Sequence, residues 1–141
     1  MKWIYSPGVN RERYINEIPD CCYARALSNA MNLDYKEAYD LISKYIEKEE
    51  LDEKYKSNDR NSICKDVIKK VLVDMGWQNK SLMVFGQGTS HHICEKDLPK
   101  GSIIAQISKG ITFIKDGVLF DKYDVSRNNT RCCYSIWTKN I

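Results

Sequence analysis

An α+β domain is the fold class this sequence predicts. Apolar residues recur at helical spacing through its first half, strand-like runs fill its second half, and an Asp116-Gly117 pair joins two of those runs. Because the helical signal comes first, N-terminal helices packed on a C-terminal antiparallel sheet are expected, in one domain over residues 1–141. A chain of 141 residues can bury a hydrophobic core without staples. Its 43% hydrophobic and 29% charged content is ordinary globular usage.

Trp3 to Tyr5 reads as a short strand ahead of a Pro7-Gly8 turn, followed by a polar connection from Asn10 to Glu17. Asp20 is an N-cap type placed just before Cys21, and Cys22-Tyr23-Ala24-Arg25-Ala26-Leu27 continues without Gly or Pro, so a helix starts at Cys21 or Cys22. Asp34 caps a second helix whose Ala38, Leu41, Ile42, Tyr45 and Ile46 form one apolar face. The mixed-charge run within 47–61 reads as a solvated helix end, loop and variable insert. Asn61 or Ser62 then caps a third helix, with Ile63, Val67, Ile68, Val71, Leu72 and Met75 as its core stripe, ending at Gly76.

The period changes after Gly76. Leu82 to Phe85 is a short β run, Leu98 to Gly101 a turn, and Ser102 to Ser108 a buried strand. Ile111 to Lys115 and Val118 to Phe120 make a hairpin, since Asp-Gly suits the positive φ angles of a two-residue turn. Arg131 to Thr138 alternates in parity and closes the sheet.

A formal net charge of +3 with interleaved signs does not argue for nucleic acid, and no stretch approaches the length of a membrane span. The first residues lack the apolar run of a secretory signal, so a cytoplasmic protein is expected. Four of the six cysteines form vicinal pairs, Cys21-Cys22 and Cys132-Cys133, which fits reduced thiols better than a disulfide framework. His91-His92-Ile93-Cys94 lacks the spacing of a zinc site, and Gly86-Gln87-Gly88 is too short for a phosphate cradle; neither a metal nor a cofactor is expected.

The candidate chemistry lies at the first helix. A thiol in the first turn faces unpaired backbone N–H groups and the positive end of the helix dipole, which favour thiolate. The Cys22-Tyr23-Ala24-Arg25-Ala26-Leu27 run, with Tyr35-x3-Tyr39 after it, resembles the opening of small papain-like cysteine hydrolases of bacteria and their phages. Leu98-Pro99-x-Gly101, Ile103 to Ser108, Asp116-Gly117, Asp121-x-Tyr123-Asp124-x-Ser126 and Tyr134-x-x-Trp137 follow the second half of that family in order. The resemblance implies a papain-like fold with Cys22 as nucleophile, or Cys21 if the register shifts by one. It also implies Asp121 as the residue that orients a base, and Asn16 in the place of an oxyanion donor.

The same pattern calls for a histidine between the Ser-Lys step and the Asp-Gly turn, where this chain reads Ser108-Lys109-Gly110-Ile111-Thr112. Losing a general base typically slows such chemistry by about 10² to 10⁴. Two readings follow. In the favoured one the fold has lost hydrolytic competence, and the old cleft binds a peptide, a protein or a small anionic ligand through Asp20, Arg25, Gly110, Thr112, Tyr123, Asp124 and Trp137. The size and resemblance to phage proteins imply a role in counter-defence. In the other, Cys22 pairs with His91 or His92, oriented by Asp121 or Asp124, in a working thiol hydrolase. A structural or interaction protein that meets a partner through the mixed-charge segment is the third reading.

Overall fold

The computed structural model describes residues 1–48 and 60–139, with the side chains of residues 64–139 in its second part. The mixed-charge stretch of the sequence therefore lies mostly outside the described residues. Three helices carry the first half: α1 (Cys22–Met31), α2 (Tyr35–Lys48) and α3 (Arg60–Asp74). Asp34 starts α2 as expected, its carboxylate accepting the Lys36 N–H at 3.1 Å. Asp20 does not cap α1. Cys21 occupies that position without a side-chain cap, and Asp20 is drawn instead to basic side chains. Asn61 and Ser62 lie inside α3, whose first residue is Arg60.

Eight strands are described: β1 (Lys2–Tyr5), β2 (Trp77–Ser81), β3 (Met83–Val84), β4 (Gly88–Thr89), β5 (Ser102–Ile107), β6 (Gly110–Lys115), β7 (Val118–Asp121) and β8 (Ser135–Lys139). Six form one sheet in the order β1-β7-β6-β5-β8-β2, and β3 with β4 make a separate small hairpin. The architecture is α+β, with a mostly antiparallel sheet. One strand departs from that rule: β1 joins the edge in parallel with β7, since it arrives from the far end of the chain rather than through a hairpin. The Asp116-Gly117 turn forms as read, with φ angles of 49° and 78°. β2 was not expected as a strand; its Trp77-Gln78-Asn79-Lys80-Ser81 sequence is too polar to announce one, and pairing with β8 decides it.

Alternation along β5 splits the core. Ile104 packs with the helices, alongside Leu27, Tyr35, Ile42, Val71, Phe113 and Trp137. Ile103, Ala105 and Ile107 pack with Ile114, Leu119 and Ile136 under Leu82, Ile93 and Leu98. With both faces covered, β5 and most of β6 are buried, which is why they read as continuous apolar runs.

Candidate functional site

Cys22 opens α1, and the turn leading into β6 lies against it. The Cys22 thiol is 3.9 Å from the Lys109 carbonyl oxygen, and the backbone N–H of Ile111 donates to its sulfur. The pairing of β6 with β7 runs from Lys115–Val118 to Phe113–Phe120, so the start of β6 extends past that ladder and leaves the Ile111 N–H free for the thiol. Gly110 is the residue that makes this approach close. A methyl group on it would lie 2.7 Å from the Cys22 sulfur, well inside van der Waals contact, and at an ordinary 3.6 Å from its Cβ.

Position at a helix start predicts a lowered thiol pKa; the opposite holds. Burial, reinforced by the neighbouring Cys21 thiol, pushes Cys22 up to about 11 from the ordinary 9.0, and the Ile111 N–H and Arg25 offset only part of that. Among the described residues no imidazole hydrogen-bonds this sulfur. His91 and His92 are held elsewhere: the His91 carbonyl accepts the Cys133 N–H, His92 bridges to Cys132, and the His92 Nδ1 faces Asp97 at 3.4 Å. The His91 Nδ1 is buried without a hydrogen-bond partner.

One turn along α1, Arg25 anchors an ionic cluster. Its Nε donates to the Asp121 Oδ1 at 2.8 Å and its Nη1 to the Asp20 Oδ1 at 2.9 Å. Thr112 donates to the other Asp121 oxygen at 2.6 Å, and the Lys122 N–H donates to Oδ1 at 2.6 Å. Lys122 Nζ reaches Asp20 at 3.3 Å. Burial works against the Arg25 charge, and Asp121 and Asp20 more than restore it, leaving its pKa raised.

No family model, curated protein or solved structure matches this chain. Geometry alone therefore sorts the residues expected from the sequence. Cys22, Gly110, Arg25, Thr112, Asp121 and Asp20 come together around the first turn of α1. Cys21 is buried, with its N–H donated to the Tyr35 hydroxyl at 2.9 Å. Asn16 is exposed on the preceding turn, Tyr123 is exposed with Lys122 over its ring, and Asp124 turns back onto Ser126. Trp137 lines a cleft with Gly110, Ile111 and Lys109. Among the described residues no group of three His, Cys, Asp or Glu side chains could hold a metal ion. No described helix is long and apolar enough to cross a membrane.

Two supports were missed in the sequence. Tyr35 is fully buried, and its hydroxyl donates to the Pro19 carbonyl at 2.8 Å, pinning the chain just ahead of α1. Arg11 lies over the Tyr35 ring at 4.5 Å and donates to the Ile18 carbonyl at 2.9 Å. The Tyr35-x3-Tyr39 spacing marked this tyrosine without revealing its partners. Arg11 lies in a polar connector that carries no periodic signal.

Proposed function

We propose that this chain is a catalytically silent binding protein on a papain-like plan, taking a peptide or small anionic ligand in the cleft beside Cys22. The observation that carries this reading is Gly110. At the position where the resemblance calls for a base, the backbone itself lies against the sulfur, and even one added carbon would collide with it. A thiol with a pKa near 11 and no imidazole partner is a poor nucleophile at neutral pH. The carboxylate that would orient a base has its oxygens committed to Arg25, Thr112 and the Lys122 N–H.

Arg25 was a candidate for anion recognition, but its Nε and Nη1 are already paired with carboxylates, so ligand charge must be met by other side chains of the cleft. Counter-defence, the role implied by the resemblance to phage proteins, is one use for such a binder. The test is turnover of a mixed peptide pool by wild type and Cys22→Ala, read by mass spectrometry. No cleavage that depends on Cys22 is expected; products that vanish in Cys22→Ala would restore the hydrolase reading.

A further inference from the structure

The two edges of the six-stranded sheet differ in kind. β2 ends it with Gln78, Asn79, Lys80 and Ser81, exposed and polar, a composition that discourages pairing with another strand. β1 ends it with Trp3, Ile4 and Tyr5, which are 40%, 40% and 61% exposed, and among the described residues no strand covers its outer side. Ile15, also exposed, adjoins Tyr5 in a groove beside the strand. Met83, Val84 and Phe85 make another exposed apolar run, but they belong to a hairpin whose two-residue strands offer almost no ladder. Backbone direction decides what β1 can take. Ser6 donates its N–H to the Asp121 carbonyl of β7 at 2.9 Å, and alternate residues of a strand point their polar groups the same way. Lys2 and Ile4 therefore face β7, while Trp3 and Tyr5 turn their N–H and C=O groups outward. The flanking outward positions are closed: the Met1 amine donates to the Asn129 Oδ1, and Pro7 has no N–H.

We infer that a second copy of this chain pairs on this edge, β1 against β1, antiparallel across a two-fold axis at Ile4. In that register Trp3 lies opposite Tyr5 of the second copy and Tyr5 opposite its Trp3, so both outward residues exchange both backbone hydrogen bonds. An axis at Trp3 would need Met1 opposite Tyr5, and an axis at Tyr5 would need Pro7 opposite Trp3, the two positions that are closed. Side chains agree with the same register. Trp3 and Tyr5 make an aromatic cross-strand pair twice over, Ile4 meets Ile4 on the other face, and Lys2 stands opposite Ser6 rather than opposite another lysine. Any extended segment could fill the backbone ladder of this edge, but the self-complementary side chains name this chain as the partner. The pairing is independent of what the cleft beside Cys22 binds.

The test is analytical ultracentrifugation of the full chain from about 5 to 500 µM, the range in which an interface built on one short strand associates. Wild type shifts from monomer to dimer across it. Ile4→Glu and Ile4→Lys, which set like charges against each other on the axis, each weaken the dimer about tenfold or more, and an equimolar mixture of the two regains it. Phe85→Lys, on the β3–β4 hairpin, matches wild type. Wild type that stays monomeric throughout, a dimer indifferent to both Ile4 variants, or a mixture that remains monomeric overturns the inference. Should the charged variants lose the far-ultraviolet circular dichroism of wild type, Ile4→Cys decides: a disulfide-linked dimer under mild oxidation, absent in wild type and in Val73→Cys, supports the axis at Ile4, and its failure to form overturns it.

Discussion

Two regions one turn apart on α1 have been built in opposite ways. Around Arg25 the buried charges are all answered: a guanidinium, two carboxylates, a threonine hydroxyl and a lysine close on one another over 2.6–3.3 Å. Around Cys22 no charged side chain bonds the sulfur, and Arg25 and Asp121 act on it only at a distance. Its neighbours are a carbonyl, a backbone N–H and a glycine, and burial keeps the thiol protonated. The contrast separates two jobs that a catalytic centre would combine. Residues that resemble catalytic machinery hold the fold together at Arg25, while the thiol beside them lacks the groups that would activate it.

The comparison is broken most forcefully from the ionic side. Asp121→Ala removes the buried one of the two carboxylates on Arg25, whose side chain is 8% exposed, leaving only the half-exposed Asp20, and is expected to cost about 3 kcal/mol in urea unfolding; a loss below about 1 kcal/mol would mean that the cluster is not structural. On the thiol side, Tyr35→Phe leaves the Cys21 N–H and the Pro19 carbonyl without the hydroxyl that both bond. A loss of about 1–3 kcal/mol is expected, and an unchanged midpoint would show that the start of α1 is held otherwise.

Gly110→Ala sharpens the comparison by filling the contact itself. Overpacking against the sulfur is expected to cost about 1–3 kcal/mol. In a Cys22→Ala background the cost should shrink markedly, because the nearest atom has gone; equal costs in both backgrounds would disprove the contact.

The smallest effect is alkaline. Cys22 titrates near 9.0 when unfolded and near 11 when folded, so its contribution is complete below about pH 9 and is lost as pH rises towards 11. Cys133 and Tyr35, each pushed up to about 12 by burial, add to the same downward slope at higher pH. Cys22→Ala should therefore lose less stability than wild type between pH 8 and 10.5, by about 1–2 kcal/mol; identical losses would remove the Cys22 share.

What the sequence disclosed follows from how local the signals are. The apolar stripe of α2, that of α3 from Val67 to Met75, the Asp34 cap and the Asp116-Gly117 turn are written within a few residues, and they form where they were read, while the Ile63 side chain lies outside the described residues. β2 and the parallel placement of β1 depend on partners 57 and 118 or so residues away in the chain, as the Asn79 and Trp3 hydrogen bonds illustrate, and no local pattern announces them. At the site, Cys22 and Asp121 could be named from motif order, and Gly110 could be singled out. The raised Cys22 pKa could not, because a helix start predicts the opposite sign and only tertiary burial reverses it. The commitment of Arg25 to two carboxylates was hidden for the same reason: Asp121 lies 96 positions away.

The most direct test of the central claim is the rate of iodoacetamide labelling at Cys22 from pH 6 to 11, read by mass spectrometry on the folded protein and compared with a free cysteine peptide. A rise in pKa from 9.0 to about 11 predicts labelling roughly 100-fold slower than the free thiol at neutral pH, still climbing at the alkaline end and unchanged by His91→Ala or His92→Ala. Rapid labelling below pH 8 that either histidine substitution abolishes would contradict the account and make Cys22 an activated nucleophile.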